Sequence, residues 1–392
     1  MSSLPEAFEP IPQFDLEAQH RAIARDLERA LSDVLESGRF VLGPQVAQLE
    51  AALAARVGAR YGVGCASGTD ALLLPLRNLA RRHDVQGPAD ARRTYDLPEV
   101  VVPAFTFFAT AGAVWNAGLR PAFCDVEDSS FNVSAQTVSS VRSARTLAAV
   151  AVHLFGQMAD VEAIRRALGP NVFVLEDAAQ AIGARRRADG VDASAGGAGD
   201  AGAFSFFPTK NLGGLGDGGL ITTSDEVLAT RLRELRVHGG GEAYHHDVVG
   251  TNSRLDTLQA AVLLAKLPHL DRWLEARRRN AALYDELLAD LKAVRTPRAG
   301  EGNFHTYHQY TIRAERRDGL RAFLTEAGIG TGVYYPLPLH LQPCFRPLGY
   351  APGDFPVAER LCGEVLSLPV FPELGEKRLR AVAAAIRTFY KA

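Results

Sequence analysis

The sequence predicts an α/β fold in which a mainly parallel central sheet is covered by helices and followed by a smaller C-terminal α/β domain. Short, continuously apolar strands alternate with helical patterns between residues 61 and 223, which is typical of parallel sheets buried on both faces. Near residue 265 the pattern changes to long helices with few strands. We therefore assign residues 1–264 to an N-terminal segment and a large domain, and residues 265–392 to a small domain.

The chain begins with two helical patterns. Apolar side chains recur at helical spacing in residues 16–35, and Gly43-Pro44 begins a second helix that runs through Val57. Further helices are predicted at residues 109–117 and 161–168. Seven strands are predicted around them, at residues 61–66, 100–103, 121–126, 147–152, 172–176, 203–207 and 219–223.

Polar segments and long helices account for the rest of the chain. Residues 81–97 and 185–202 are predicted to be surface loops, because polar residues, Gly and Ala dominate them. A long helical pattern follows from residue 255 to 291, with a break at Pro268. The last predicted elements are a strand at 308–313, a helix at 319–327 and a terminal helix from Glu376.

Composition excludes several classes of protein. The formal net charge of −2 gives no bulk attraction to nucleic acid or to anionic membranes, and no window approaches about 18 uninterrupted apolar residues, so neither partner is expected. The N-terminus lacks the basic start and apolar core of a secretory signal. The four cysteines form no Cys-x-x-Cys pair and no metal-ligand spacing. We therefore expect a cytoplasmic protein without a metal site.

The most informative feature is a lysine beside a glycine-rich turn. Lys210 stands between an apolar strand and the run GGLGDGG of residues 213–219, and Asp177 ends another apolar strand. A lysine on a tight turn and a strand-end carboxylate suit pyridoxal phosphate chemistry. The lysine forms a Schiff base with the cofactor aldehyde, and the aspartate keeps the pyridine nitrogen protonated so that the ring accepts electrons.

Plainer interpretations exist for these residues taken singly. A lysine is usually a surface charge, and a glycine run is often a flexible loop. The run also imitates the phosphate loop of a nucleotide-binding α/β protein, but neither Gly-Lys-Ser nor Gly-Lys-Thr follows it. The combination of Lys210 with Asp177 favours the cofactor interpretation.

A third element strengthens the cofactor hypothesis. The segment GCASGTDAL of residues 64–72 leads from a strand into a helix, and free N–H groups at a helix N-terminus bind phosphate. Ser67, Gly68 and Thr69 would supply backbone and hydroxyl donors. Ser67 or Thr69 could instead cap the helix, and the two roles are compatible.

Motifs along nearly the whole chain point to one family. They are ASGTDA at 66–71, VPAFTF at 102–107, EDAAQA at 176–181, SFFPTKNLG at 205–213, NSRLDTLQAA at 252–261, YPLPLH at 335–340 and SLPVFP at 367–372. This set in this order resembles the DegT-type nucleotide-sugar aminotransferases. The resemblance implies a fold-type-I pyridoxal-phosphate enzyme whose large domain binds the cofactor.

The resemblance also implies roles for single residues. Lys210 would be the Schiff-base lysine and general acid–base, and Asp177 the partner of the pyridine nitrogen. The other residues implied to hold the cofactor are Ser67, Gly68, Thr69 and Ser205 at the phosphate, Gln180 near the phenolic oxygen, Phe107 on the ring face, and Asn252. Phe107 could equally be a plain core residue, because most aromatic side chains are buried packing.

Four residues are implied at the substrate, namely Arg254, Tyr334, Tyr335 and His340. The family brings an Asn or Arg at the segment of Asn252 and Arg254 across a dimer interface, so we expect a homodimer. The plainer interpretation of Arg254 is a surface charge at a helix start.

The activity implied is transfer of an amino group from glutamate to a nucleotide-linked keto sugar. The segment of residues 244–252 is similar to members that aminate C3, and Lys210 argues against the members that carry histidine there and remove a hydroxyl. Many members have His-Tyr-Pro where this chain has Tyr334-Tyr335-Pro336, so the resemblance does not identify the sugar substrate. The alternatives are a non-catalytic pyridoxal-phosphate-binding regulator, which would not need Lys210, Asp177 and Gln180, and a pyridoxal-phosphate sugar enzyme acting at C4.

Overall fold

The computed structural model describes residues 10–85, 96–188, 190–240 and 244–391. Its first helices are α1 (Leu16–Ala22), α2 (Ala24–Ser37), α3 (Pro44–Val57) and α4 (Gly68–Arg82). The continuous pattern predicted for residues 16–35 is therefore divided at Ile23, where the backbone leaves the helical region (φ −126°, ψ 24°). Most of the predicted loop at 81–97 lies outside the described residues.

Nine further helices lie in the described part of the chain. They are α5 (Phe108–Asn116), α6 (Ala135–Ser139), α7 (Val161–Leu168), α8 (Glu226–Leu235), α9 (Thr257–Lys266), α10 (Leu270–Leu288), α11 (Arg317–Glu326), α12 (Pro356–Glu364) and α13 (Gly375–Lys391). The break predicted at Pro268 falls in a short 3-10 turn, Leu267–His269, between α9 and α10. None of the described helices is long and apolar enough to cross a bilayer.

The strands form three sheets. In chain order they are β1 (Tyr61–Cys65), β2 (Glu99–Pro103), β3 (Arg120–Cys124), β4 (Thr146–Val152), β5 (Phe173–Asp177), β6 (Arg185–Ala188), β7 (Val191–Ser194), β8 (Ala201–Ser205), β9 (Gly219–Thr223), β10 (Val294–Arg295), β11 (Asn303–Phe304), β12 (Tyr310–Ala314) and β13 (Val365–Leu368). The central sheet has the order β1-β9-β8-β5-β4-β2-β3 and is parallel from β8 to β3, with β9 antiparallel to both of its neighbours. Every predicted strand of this sheet lies within two residues of its observed bounds.

The loop predicted at residues 185–202 is wrong in part, because β6 and β7 form an antiparallel hairpin there and β11 extends it. Arg187 closes the hairpin with two hydrogen bonds to Asp192, of 2.7 and 2.6 Å. The buried Glu176 carboxylate accepts hydrogen bonds from the N–H groups of Gly196, Ala198 and Gly199. The Ala, Gly and Asp content thus marks turns that tertiary contacts hold in place.

The C-terminal part has its own sheet and core. Strands β10, β12 and β13 pair antiparallel, and α10, α11 and α13 pack around them. The N-terminal segment joins this core, because Ile11 is buried in it and pairs with Ile329. The division of the chain at residue 265 stays a prediction.

The sheet topology brings three strand ends together. Because β8 is parallel to β5, and β9 runs opposite to both β8 and β1, the carboxyl ends of β1, β5 and β8 lie at the same edge. Gly219 stands between Cys65 and Ser205 in register. Asp177, the start of α4 and the turn carrying Lys210 therefore meet at this edge, where ligands of α/β sheets usually bind.

Candidate active site

A cavity of about 440 Å³ lies at this edge of the central sheet. Ten of the thirteen site residues predicted above line it: Ser67, Gly68, Thr69, Phe107, Asp177, Gln180, Ser205, Lys210, Tyr334 and Tyr335. The remaining lining includes Phe14, Thr106, Asp217, His308 and Gln309, none of which was predicted. The cavity thus combines residues from both predicted domains and from the N-terminal segment.

One end of the cavity is a helix N-terminus. Ser67 is the N-cap of α4, and its hydroxyl accepts a hydrogen bond from the Asp70 N–H at 3.1 Å. The first N–H groups of α4 have no partner within the helix. A Cβ on Gly68 would lie 2.6 Å from the Ser205 Cβ, and one on Gly219 would lie 2.2 Å from the Ser67 carbonyl oxygen. Only glycine allows this close approach, which forms a cradle suited to an anion.

Ser253 holds the two sides of the anion cradle through hydrogen bonds. Its buried hydroxyl accepts a hydrogen bond from the Ala66 N–H at 3.2 Å and donates one to Asp70 at 2.8 Å. The predicted residues on either side of it, Asn252 and Arg254, do not line this chain's cavity. Asn252 is exposed, and its segment pairs with Val237.

Asp177 is buried at the end of β5 and held by two donors. Its Oδ2 accepts a hydrogen bond from the Thr110 hydroxyl at 2.8 Å, and its Oδ1 accepts one from the Ala179 N–H at 3.3 Å. Burial raises the pKa of Asp177, while the Thr110 bond and the charge of Lys210 act in the opposite direction. Sequence reasoning missed Thr110, because its position in a helical pattern gives no sign that it faces β5.

Lys210 sits on the turn that follows β8. Its N–H donates to the Phe207 carbonyl at 2.9 Å, which closes the turn. Burial lowers the pKa of Lys210 to about 8, and the charge of Asp177 partly offsets this effect. A substantial fraction of this amine is therefore neutral near pH 8, which is the form that attacks an aldehyde or accepts a proton.

His308 is a buried neutral side chain in the same cavity. Its Nδ1 lies 3.4 Å from Oδ1 of Asn211, the residue next to Lys210. Burial, together with the charges of Lys210 and Arg277, holds the pKa of His308 well below its usual range. The imidazole therefore adds no positive charge beside the lysine.

Gln180 links two walls of the cavity. Its Oε1 accepts a hydrogen bond from the Phe155 N–H at 2.7 Å, and its Nε2 donates to the Tyr335 hydroxyl at 3.2 Å. The Phe107 ring lies 6.1 Å from the Tyr335 ring. Phe107 is 56% exposed, so it is not a plain core residue, and a flat ligand can stack on it.

His340, predicted at the substrate, lies outside the cavity lining. Its ring packs edge-on against Phe355, and its Nε2 lies 3.1 Å from Oε1 of Glu359. The N–H of Leu339 donates to the Ala104 carbonyl, and this 3-10 turn buries His340 in packing contacts. The contact of His340 with the substrate stays a prediction.

The residues of this cavity fit pyridoxal phosphate. The anion cradle suits the phosphate, the neutral fraction of Lys210 suits the aldehyde, and the buried Asp177 carboxylate suits a protonated pyridine nitrogen. Among the described residues, no group of three His, Cys, Asp or Glu side chains is arranged to hold a metal ion.

The fold and the cavity define the class of protein, an α/β aminotransferase. The chain belongs to the DegT/DnrJ/EryC1/StrS aminotransferase family, whose sequence profile matches residues 21–387. The aminotransferases of this family depend on pyridoxal phosphate. The family predicted from the motifs is therefore confirmed.

Individual relatives cover nearly the whole chain. A protein of Geobacillus stearothermophilus called "Pleiotropic regulatory protein" is 47% identical, over 97% of this chain and 99% of its own length. The UDP-N-acetyl-3-dehydro-alpha-D-glucosamine 3-aminotransferase of Acidithiobacillus ferrooxidans is 43% identical, over 96% of this chain and 97% of its own. The crystal structure of S. venezuelae DesV in complex with a ketimine intermediate matches with a TM-score of 0.90 and 38% identity, over 98% of this chain and 100% of that one. This match confirms the predicted fold class.

Proposed function

We propose that this protein is a pyridoxal-phosphate-dependent aminotransferase that places an amino group from glutamate on C3 of a nucleotide-linked keto sugar. The observation that carries the proposal is the pairing of Lys210, whose pKa is about 8, with the buried Asp177 in one cavity. The similarity to a 3-aminotransferase of a UDP-linked 3-keto sugar supports the choice of acceptor.

The residues of the chain divide the work of such a transfer. Pyridoxal phosphate, when bound, supplies a ring that accepts the electrons released at the reacting carbon. Lys210 would hold the cofactor through its aldehyde, and its free amine would take the proton from the α-carbon of the amino donor. Asp177 would keep the ring nitrogen charged, and Thr110 holds the Asp177 carboxylate in its orientation. Phe107 would contact the ring, and the N–H groups of α4 would bind the phosphate.

A second candidate is a non-catalytic regulator that binds the cofactor, because one similar protein is called a regulatory protein. A regulator and an enzyme would both give a visible absorption band with pyridoxal phosphate. Only the enzyme would lose this band when glutamate is added, because transfer of the amino group converts the cofactor to its amine form. The lowered pKa of Lys210 supports the enzyme, since a sensor has no use for a lysine poised to move protons.

The acceptor is tested with the amine form of the protein and a panel of nucleotide keto sugars. We expect the visible band to return with a sugar that carries its keto group at C3. Return of the band only with 4-keto sugars would replace C3 by C4 in the proposal, and no return with any sugar would contradict it. Tyr334, which lines the cavity and donates a hydrogen bond from its hydroxyl to Oε1 of Gln13 at 3.4 Å, should influence which sugar is used.

The rate of cofactor capture should depend on the protonation of Lys210. Only the neutral amine attacks the aldehyde, so we expect the rate to rise about tenfold per pH unit below 8 and to become constant above it. In Asp177→Asn the curve should shift to lower pH, because the charge of Asp177 raises the pKa of Lys210. Stopped-flow absorbance on cofactor-free protein measures the curve. A rate that still rises well beyond pH 8, toward the usual lysine pKa of about 10.4, would contradict this assignment.

Removing the Thr110 hydroxyl should weaken the support of Asp177. In Thr110→Val we expect the half-reaction with glutamate to slow by about 10- to 100-fold, because a hydrogen bond to a charged group contributes about 1.5–3 kcal/mol and each 1.4 kcal/mol corresponds to about tenfold in rate. Thr110→Ser retains the hydroxyl and serves as the matched control. Equal rates for Thr110→Val and Thr110→Ser would show that this hydrogen bond does not support the reaction.

We also propose that two copies of this chain form the active unit. Phe40, Val41 and Leu42 are large apolar side chains exposed together on one segment. This segment pairs with the start of α9, since Val41 forms a bridge with Asp256 and the Phe40 carbonyl accepts from Thr257. Exposed apolar surface of this kind marks an interface, and here it adjoins the segment of Asn252 and Arg254.

Complementation tests whether Arg254 serves the partner's site. In a mixed dimer of one Lys210→Ala chain and one Arg254→Ala chain, both defects would fall in the same site and the other site would be intact. We expect such dimers to recover about half of the wild-type activity, while either variant alone is weak or inactive. Two inactive variants that recover nothing on mixing, or full activity in a monomer, would contradict the proposal.

A further inference from the structure

The loop that follows Lys210 rests on α9 through two contacts. The Leu215 N–H donates to Gln259 Oε1 at 2.8 Å, and the Gly213 carbonyl accepts a hydrogen bond from Lys266 Nζ at 2.8 Å. The turn from Pro208 to Gly213, which carries Lys210, is tight, because a Cβ on Gly213 would lie 2.2 Å from the Pro208 carbonyl oxygen. The position of the Gly213 carbonyl therefore constrains the turn that carries Lys210.

Lys266 is fully buried, which is uncommon for a lysine. Its second partner is His20, whose Nε2 lies 2.9 Å from Nζ. Burial lowers the pKa of Lys266 to about 8, so its amine is mostly protonated below that pH. A protonated lysine only donates, so in this form Nε2 of His20 is the acceptor and the imidazole is neutral. Burial, and then the charge of Lys266, lower the pKa of His20, in agreement with this arrangement.

His20 belongs to α1, and α1 continues directly from a wall of the cavity. Phe14 lines the cavity, and the next residue, Asp15, caps α1 by accepting a hydrogen bond from the Ala18 N–H at 2.9 Å. Ile11, before Phe14, is fixed by its pairing with Ile329. A shift of this seven-residue helix would therefore be transmitted to Phe14.

We infer that Lys266 and His20 are positioning residues. They couple the loop after Lys210, residues 211–219, to the wall of the cavity that Phe14 forms. The contacts run from Gly213 through Lys266 and His20 to α1, and from α1 to Phe14. This role rests on the proposed function, because the positions of Lys210 and Phe14 matter only if the cavity binds a cofactor and a substrate. The pair acts through these other residues and does not itself line the cavity.

Hydrogen exchange measured by mass spectrometry on the full-length, cofactor-free protein tests the coupling. In Lys266→Met and in His20→Leu, we expect the backbone amides of residues 16–22 and of residues 211–219 to exchange on the order of tenfold faster. Each variant removes the hydrogen bond between Lys266 and His20, and both segments then open more often. His20→Gln, whose amide oxygen can accept from Lys266, should restore protection in part. If Lys266→Met does not fold, His20→Leu carries the test.

Two controls make the result specific. Gln259→Leu breaks the other contact between α9 and the loop, so exchange should quicken in residues 211–219 and stay unchanged in residues 16–22. His83→Leu, at an exposed histidine after α4, should change neither segment. Exchange that quickens only in the segment carrying the mutation, or uniformly over the whole chain, would overturn the inference.

A second readout uses pyridoxal phosphate itself. In Lys266→Met and His20→Leu we expect the Kd for pyridoxal phosphate to rise by about tenfold, equivalent to about 1.4 kcal/mol, and the pH midpoint of the visible band to move. A purely structural role would lower the unfolding temperature without moving this midpoint, and that outcome would overturn the inference. If the wild-type protein takes up no cofactor, the proposed function fails, while the exchange experiment still decides on the coupling.

Discussion

Lys210→Ala is expected to abolish transamination and the visible absorption band while leaving the fold intact. Lys210 is the one lysine in the described cavity lining, and no other group there can hold the aldehyde covalently. Its side chain lines the cavity and is not part of the packed core, so truncation leaves no new void in the core. Absorbance, a glutamate half-reaction assay and circular dichroism on the same sample measure the three outcomes.

The matched control for this experiment is Lys292→Ala, at an exposed lysine that does not line the cavity. It should retain wild-type rates and the band. A Lys210→Ala protein that transfers amino groups at nearly the normal rate would refute the catalytic assignment and, with it, the proposed function.

Asp177→Asn should slow the glutamate half-reaction by on the order of 10²-fold or more, because the ring nitrogen loses its charged partner and the ring accepts electrons less well. The phosphate cradle and Lys210 are unchanged, so the cofactor should still bind. The Thr110 hydroxyl can donate to the side-chain amide oxygen of this variant as it does to the Asp177 carboxylate, which limits the structural cost. Single-turnover absorbance measures the rate.

Asp290→Asn is the matched control, since Asp290 is an exposed carboxylate paired with Arg387. We expect its half-reaction rate to equal that of the wild type. If the Asp177→Asn rate were also unchanged, Asp177 would not be the partner of the pyridine nitrogen, and another acid would have to be sought.

Short sequence patterns identified the site residues that stand at the end of a strand or at the start of a helix. Asp177 ends an apolar strand, Lys210 follows another, and Ser67 begins a helix, so each could be found from its own neighbours in the chain. Parallel strands share a carboxyl edge, and the observed order of the sheet brings these residues together there. All three line the cavity.

Residues that act through the packing of distant elements left no such signal. Thr110 lies in an ordinary helical pattern and becomes important only because α5 packs its hydroxyl against Asp177. His308 and Phe14 reach the cavity from opposite ends of the chain. His340 is the converse case, since its motif suggests a ligand contact, while the turn at Leu339–Leu341 buries it against the Phe355 ring.

The sequence by itself determined the alternation of strands and helices, the family, and the lysine, carboxylate and helix start of the site, because periodicity and short motifs are local properties of the chain. Only the tertiary structure decided that residues 185–202 contain a hairpin and that Thr110 supports Asp177. It also decided that the buried Lys266 joins α1 to the loop that follows Lys210. The physical reason is that the hydrogen bonds of Thr110 and Lys266 join residues 53 to 246 positions apart, and that the hairpin, although its own pairs are local, is held in place by Glu176 and by β11. Such partners are selected by the packing of the whole chain, which no short window of the sequence contains.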